Sequence, residues 1–447
     1  MASEKLDLTG LLDALFDEGV YTALFESETG ALSAAYGLVG GQGAYAVCQN
    51  GQAIGTKELE TNCRVLRLAG ETGCPVVTFY NASGVQLDAG AQVLAATNKL
   101  VATAAELSGV VPQIAVVTGP CGGTSALAAA SADLCVMTRD AELFLVPPFL
   151  AKAEGLATED SGTLDAAIRA GVVAQVAEDD AEAVQKVAKL LTLLPPNNLA
   201  ETRAFEYDEP AAALDVAKYT GAGAIDALAD AGSALELYPG FGGNAVVALA
   251  TIAGNVVGIA ATNDPHTALG YHCSTKLARF ARLCDTYSIP LVTVVNTRGF
   301  EMDNKGGNEG GLRQASRLAA TYADATCPKV AVLVGRTFGS TYAALAGADL
   351  TVAVQGSVTA PVEPTAAVTV LYKDEIDASD KPVDAETKAR AAVYEAEVAS
   401  ADALLKAGLA SFAPAPDAVR GSVATALDIL ASKRLQRLPK KHGNMPL

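Results

Sequence analysis

Two stretches of the chain carry the same succession of apolar, small and polar positions. Residues 112–136 read PQIAVVTGPCGGTSALAAASADLCV and residues 328–352 read PKVAVLVGRTFGSTYAALAGADLTV; they lie 216 positions apart (328 − 112) and match at 11 of 25 positions. Each opens with an apolar run of strand length, Ile114–Val117 or Val330–Val334. A glycine turn follows (Gly119, Gly122 and Gly123; Gly335 and Gly339), and then an alanine-rich run of helical composition. Strand, tight turn and helix start together bring several free backbone N–H groups to one point, with the positive end of the helix dipole behind them. Such a point holds negative charge, including an oxygen anion that forms during a reaction. A single Gly-Gly before a helix is also an ordinary tight turn, and it is the duplication that favours the charge-holding reading.

The remaining pattern repeats in the same way. RVLRLAGETGCPVVTFYNASG (64–84) lies over RFARLCDTYSIPLVTVVNTRG (279–299) at an offset of 215 and matches at eight of 21 positions. Asn81 and Gly84 fall on Asn296 and Gly299. A third match, Ala170–Val172 on Ala407–Leu409, sits 237 apart, so about 21 extra residues fall in the charged helical segment between 373 and 400. In chain order the pattern predicts a short amphipathic helix near Leu11–Phe16 and strand-like runs from Ala31 with turns at Gly40–Gly41 and Asn50–Gly51. A helix over 58–70, a buried strand over 76–79 and a long helix over 92–107 follow. Ala245–Thr262 is broken by Gly254 and Asn255 and reads as two strands around a turn, too interrupted for a membrane span.

A period near 216 residues is far beyond a solenoid repeat and indicates two copies of one domain. The helix over 179–194 ends at Pro195-Pro196-Asn197-Asn198 and an acidic connector, 201–210, follows, which places the join near 198–212. The expected organisation is residues 1–205 and 206–447, each with a largely parallel sheet covered by helices. After the helix over 417–432 the tail RLQRLPKKHGNMPL is basic; it is either a solvated extension or a segment docked on a partner subunit.

Composition narrows the chemistry. The chain has 447 residues, half of them hydrophobic and 18% charged, which suits an enzyme-sized α/β protein of two domains. Its formal charge of −18 argues against nucleic acid or an anionic membrane as a partner. The eight cysteines form no CxxC and several sit in apolar runs, so they read as buried free thiols in a reducing compartment. The N-terminus has no basic stretch leading into an apolar one, so no secretory signal is expected and the location read from the sequence is cytoplasmic. His266, His272 and His442 are too few for a histidine-based metal or triad site, His272 beside a helix start reads as structural, and no GxSxG, HExxH or Walker sequence occurs. Asp88, Glu309 and Glu363 are the carboxylates available to acid–base chemistry, and they lie in loops without an evident pairing. Backbone dipoles are left to do the electrostatic work, and no metal is expected.

The motifs in order resemble a known family. NASGVQLDAG (81–90), GPCGGT (119–124), KLARFARLCDTYSIPL (276–291), TRGF (297–300), ATCPKV (325–330), FGSTY (338–342) and KKHGNMPL (440–447) are similar to the collinear signatures of the carboxyltransferase subunits of biotin-dependent acyl-CoA carboxylases and sodium-pump decarboxylases. Propionyl-CoA carboxylase beta and the alpha subunits of methylmalonyl-CoA and glutaconyl-CoA decarboxylases are the types resembled. The resemblance implies an α/β fold of two tandem crotonase-like domains, each a spiral of ββα units, arisen by internal duplication. It implies acyl-CoA bound mainly by the N-terminal domain and biotin by the C-terminal domain of a neighbouring subunit. One oxyanion hole, at Gly122, Gly123 and Thr124, would stabilise a thioester enolate; the other, at Gly339, Ser340 and Thr341, would polarise the ureido oxygen of biotin. Asn81, Ser83, Gly84, Gln86, Phe300 and Phe338 are the matching substrate-binding positions.

The sequence departs from the family pattern at several of these sites. Gly-Gly of the first hole is Gly123-Thr124, Gly-Ala of the second is Ser340-Thr341, and Gln86 and Ala89 replace an arginine and an acidic residue. None of the four methionines flanks a lysine, so biotin is expected on a separate carrier protein, with a biotin carboxylase subunit or a membrane decarboxylase subunit as a further partner. A homodimer or a trimer of dimers is implied. Propionyl- or methylmalonyl-CoA is the foremost substrate class. A glutaconyl-CoA-type decarboxylase subunit, a biotin-independent crotonase-type enzyme and a non-catalytic scaffold subunit are the alternatives.

Overall fold

The computed structural model describes residues 5–25, 30–156, 160–301, 310–435, 437–440 and 443–444. Glu309, His442 and most of the terminal KKHGNMPL motif lie outside the described residues. The chain divides into two units: residues 1–203 with Tyr238–Phe241, and residues 204–237 with 242–447.

The first unit is built on a seven-stranded sheet in the order β1 (Tyr21–Leu24), β2 (Leu32–Val39), β3 (Gln42–Gln49), β4 (Val76–Tyr80), β5 (Gln113–Val117), β7 (Leu134–Thr138), β9 (Gln175–Ala177). β1, β2 and β3 pair antiparallel and the rest pair parallel. The expected largely parallel sheet therefore carries an antiparallel edge. Every residue of β4, β5 and β7 is buried, which is why their sequences run apolar without alternation. A separate parallel pair, β6 (Pro120–Gly122) with β8 (Glu142–Phe144), stands at the end of β5. The helix Leu8–Leu15 is capped by Asp7, and the helix Asp180–Leu193 by Asp179, each carboxylate accepting a first-turn N–H. The return segment Tyr238–Phe241 joins this unit: the Tyr238 N–H donates to Ala174 O at 2.9 Å, and the Phe241 ring lies against Gly171.

The second unit repeats the plan with six strands, β10 (Leu235–Leu237), β11 (Ala245–Ile252), β12 (Asn255–Thr262), β13 (Leu291–Val295), β14 (Lys329–Leu333), β16 (Leu350–Ala353). Its detached parallel pair is β15 (Arg336–Phe338) with β17 (Val358–Ala360). β11 and β12 form an antiparallel hairpin over a turn in which Ala253 and Gly254 both take positive φ. Asp230 holds that turn, accepting from both amides and from Arg420 at 2.6 Å.

The duplication extends to single hydrogen bonds. Ala82 N–H donates to Pro120 O and Thr297 N–H to Arg336 O; Glu142 N–H to Gly119 O and Val358 N–H to Gly335 O; Asp133 N–H to Gln113 O and Asp349 N–H to Lys329 O. The carboxylates of Asp133 and Asp349 accept back from Gln113 and Lys329 at 2.9 and 2.8 Å. These pairings hold the same strand, turn and helix in both copies. The basic tail lies on its own unit: Lys433 donates to Cys327 O and Asp349, and Arg437 to Ala323 O and Ala325 O. Residues 434, 435 and 437–440 are exposed, so the tail is a solvated extension tied to its unit through the side chains of Lys433 and Arg437.

Candidate active site

Each unit gathers one candidate site from three segments: the loop after a central strand, the turn after the next strand, and the start of the helix beyond it. In the first unit the loop Asn81–Gln86 leaves β4 and is stitched to the segment before the helix Thr56–Thr72. Gly51 N–H donates to Asn81 O, Ser83 N–H to Gly51 O, Ile54 N–H to Gly84 O and Gln86 N–H to Ile54 O. Gly84 takes a φ of +137°, a conformation that needs glycine. Ser83 and Gly84 are exposed and Asn81 and Gln86 half-buried, the Gln86 carboxamide resting against Gly55 at the helix start. Asp88 is exposed in a short 3₁₀ turn.

The turn at 119–124 is fixed from both sides. Gly119 must lack a side chain, since a Cβ there would stand 2.1 Å from Asn81 Oδ1. Gly123 takes φ +58° and ψ −122°, outside the reach of L-residues, and starts the helix Thr124–Ser131. Ala126, Ala128 and Ala129 are buried on that short helix, so its axis can lie close to the sheet.

One sequence expectation is corrected here. The Gly123 N–H donates to Phe144 O at 2.9 Å, so it is not available to a ligand. In a parallel ladder alternate residues face the partner strand. Gly119 and Gly123 bond towards β8, so the Gly122 N–H points to the other side, where Pro120 O accepts from Ala82. The Thr124, Ser125 and Ala126 amides begin the helix and have no intrahelical partner. The candidate donors are therefore Gly122 and the first helical amides, without Gly123 between them.

The second unit builds the same arrangement. Leu269 N–H donates to Gly299 O and Glu301 N–H to Leu269 O, matching Ile54 to Gly84 and Gln86 to Ile54. Phe300 is half-buried and bridges Leu269. The Arg336 N–H is held by Asn296 Oδ1 at 3.0 Å, whereas the equivalent residue in the first unit, Pro120, has no N–H to give to Asn81. Gly339 has φ +46° and is the first residue of the helix Gly339–Leu345; the Gly339, Ser340 and Thr341 amides precede its first intrahelical bond. Thr341 is fully buried and its hydroxyl donates to Phe338 O at 2.6 Å, turned away from the amides, while Ser340 is exposed. Of the three residues, Ser340 is exposed and Gly339 half-buried, whereas Thr341 is closed off by burial. By strand alternation the Phe338 amide joins this set.

The surroundings of the two sites differ in polarity. Beside the second, Arg336 pairs with Glu363 at 2.6 Å and reaches Glu395 at 3.7 Å, and Glu363 also accepts from the Thr365 hydroxyl. Glu363, which has no evident pairing in the sequence, is thus engaged in an exposed ion pair. Beside the first site the same positions are Pro120, Pro147 and Phe149, and Leu145, Val146 and Phe149 are exposed. Sequence reasoning passed over Phe144, Arg336 and Glu301; the signal that could have found them is the offset of 216 carried past the glycine turns to residues 144 and 360. His272 lies in the first turn of the helix Tyr271–Thr286, its ring 3.9 Å from that of Tyr271.

All eight cysteines are free thiols, seven of them buried, and burial pushes Cys48, Cys63, Cys121, Cys273, Cys284 and Cys327 upward, the last to about 12. Burial thus keeps these six thiols protonated, as packing groups and not nucleophiles. Among the described residues no group of three His, Cys, Asp or Glu side chains could hold a metal ion, and no helix is long and apolar enough to cross a membrane.

Comparison with known proteins agrees with this geometry. Residues 12–445 match the carboxyl transferase domain. The chain is 31% identical over 417 residues to the methylmalonyl-CoA carboxyltransferase 12S subunit of Propionibacterium freudenreichii subsp. shermanii, covering 89% of this chain and 78% of that one. It is 27% identical over 488 residues to the methylmalonyl-CoA decarboxylase subunit alpha of Propionigenium modestum, covering 100% and 94%. A solved structure of transcarboxylase 12S, described as a hexamer assembly with methylmalonyl-coenzyme A and methylmalonic acid bound, superposes with a TM-score of 0.93 at 27% identity, over 99% of this chain and 92% of that one.

Proposed function

Because the chain belongs to the carboxyl transferase domain family, whose crotonase-like architecture both of its units share, we propose that it moves a carboxyl group between carrier-bound biotin and the α-carbon of a short acyl-CoA, with propionyl- or methylmalonyl-CoA as the substrate pair. The observation that carries this reading is the pair of equivalent strand–turn–helix sites, each presenting backbone amides at a helix start.

In this proposal residues 1–205 form the acyl-CoA side and residues 206–447 the biotin side. The Gly122 and Thr124 amides receive the thioester oxygen as it becomes an enolate, when loss of the α-proton sends charge onto that oxygen. Donors fixed before the reaction need no rearrangement as charge develops, and removing one such donor typically costs about 10²–10³ in kcat. The Asn81–Gln86 loop lies on the same side and positions the thioester, with Gly84 keeping the approach free of a side chain. At the second site the Gly339, Ser340 and Thr341 amides suit a neutral carbonyl oxygen such as that of a ureido ring, and Phe300 and Phe338 flank it. Carrier-borne biotin would supply or accept the carboxyl group at its ureido nitrogen, exchanging it for the α-proton.

A homodimer or trimer of dimers, a separate biotin carrier protein and a biotin carboxylase or membrane decarboxylase subunit complete the proposed complex. Relatives named as a carboxyltransferase and as a decarboxylase subunit both support it, which leaves direction to the partner present. The free thiols support a cytoplasmic location. The test is transfer of labelled carboxyl from methylmalonyl-CoA to biotinylated carrier by the purified full chain. Transfer that requires the carrier supports the proposal. Acyl-CoA turnover without any carrier would favour a biotin-independent enzyme, and failure to bind acyl-CoA would favour a scaffold subunit.

A further inference from the structure

The two donor sites differ in where their aromatic ring comes from. In the β6–β8 pair, Gly122 stands opposite Phe144; in the β15–β17 pair, the equivalent positions are Phe338 and Ala360. Each ribbon thus carries one phenylalanine and one small residue in register, on opposite strands in the two copies. The Phe144 ring fills the place that a side chain at 122 would take: a Cβ on Gly122 would lie 2.3 Å from Phe144 Cε2 and 2.9 Å from Cζ. The ring is also held from behind, in contact distance of Gly162, where a Cβ would meet Phe144 Cδ1 at 3.4 Å. Its own carbonyl takes the Gly123 N–H, so one residue both fixes the turn and walls the strand whose free amide is part of the donor set. Phe144 is half-buried, so part of the ring faces open space. In the second unit Ala360 leaves that wall absent, and Phe338 projects from the donor strand itself with the Arg336 guanidinium 6.0 Å from its ring.

We infer that Phe144 sets the size of the acyl group accepted at the first site. This rests on the proposed acyl-CoA carboxyl transfer and adds the residue that limits its substrate. A ring standing over the face of Gly122 would admit a short α-substituent and exclude a longer chain from that face. Trimming it opens the space without touching an amide. The discrimination available is that of an apolar pocket, about 10–200-fold per methylene.

The experiment compares propionyl-CoA with pentanoyl-CoA in wild type, F144A and F144L, by transfer kinetics and by calorimetric Kd, with thermal melting alongside. The expected result is a pentanoyl-to-propionyl kcat/KM ratio raised at least tenfold in F144A and by less in F144L, with the KM for biotinylated carrier unchanged. F144L keeps an apolar filler against Gly162, so it reports even where F144A does not fold. An unchanged chain-length ratio in folded variants that still transfer carboxyl overturns the inference. A shifted ratio of Kd values in a protein that transfers no carboxyl from any acyl-CoA supports it while overturning the carboxyl-transfer proposal.

Discussion

Replacing Gly123 by alanine separates backbone conformation from steric fit. A Cβ at this position would meet no atom within 4 Å, so there is no clash to relieve. The N–H is kept, and with it the donor to Phe144 O. What changes is the torsional cost of φ +58° and ψ −122° for an L-residue, about 1–3 kcal/mol. If the turn holds, the cost appears as stability, and in a domain of 150–250 residues each kcal/mol lowers Tm by roughly 2–4 °C. If the turn relaxes towards negative φ, the Gly123 carbonyl that accepts from Leu127 rotates, and the Thr124 amide leaves its aim. The expected outcome combines the two. Tm falls by a few degrees and carboxyl transfer falls by about a hundredfold, the size of losing one preorganised donor, with acyl-CoA KM little changed. The assay is labelled carboxyl transfer to biotinylated carrier, paired with thermal melting. A G123A variant with both turnover within twofold of wild type and an unchanged Tm would refute the requirement for this turn geometry.

Four further outcomes follow from the geometry. Gly339→Ala adds to the same strain a contact of 2.7 Å with Pro361 O, so chemical denaturation should find it less stable than G123A. Asn296→Ala deprives the Arg336 N–H of its acceptor and should cost about 1–3 kcal/mol, whereas Asn81→Ala leaves no amide orphaned at Pro120 and should melt closer to wild type. Asp230→Ala removes a buried carboxylate that pairs with Arg420 and holds the Ala253–Gly254 turn, and a loss of about 3–5 kcal/mol is expected by urea titration. Lys276 is buried with its Nζ donating to Ala245 O at 2.8 Å, and desolvation lowers its pKa from 10.5 to about 8. The unfolded chain therefore binds the proton more tightly, and the penalty for charge is full below pH 8 and fades towards pH 10.5. The stability of wild type relative to K276M should accordingly rise between those values, by at most about 3 kcal/mol; a flat or falling difference would contradict it.

Much of the architecture follows from local rules that can be read along the chain. The strands β4, β5, β13 and β14 announce themselves because burial on both faces demands unbroken apolar runs. The helices Ala91–Leu107 and Asp180–Leu193 follow from periodicity and, for the second, an aspartate cap. The glycine turns and their duplication are likewise legible as sequence because φ +58° at Gly123 favours glycine and the close approach of Asn81 and Asn296 to Gly119 and Gly335 leaves no space for a side chain.

Only the tertiary structure decided which amides are free. Whether Gly123 donates to a ligand or to Phe144 depends on β6 pairing with β8 in one register, a contact across some twenty residues of chain that no local preference encodes. The same pairing set Phe144 over Gly122, and its counterpart put Phe338 and Ala360 in the reverse places. In the basic tail, Lys433 and Arg437 are anchored by the carbonyls of 323, 325 and 327, which a different segment exposes. Torsional needs are written residue by residue and so are legible; hydrogen-bond partners are chosen among distant segments, and become definite only when the chain has folded.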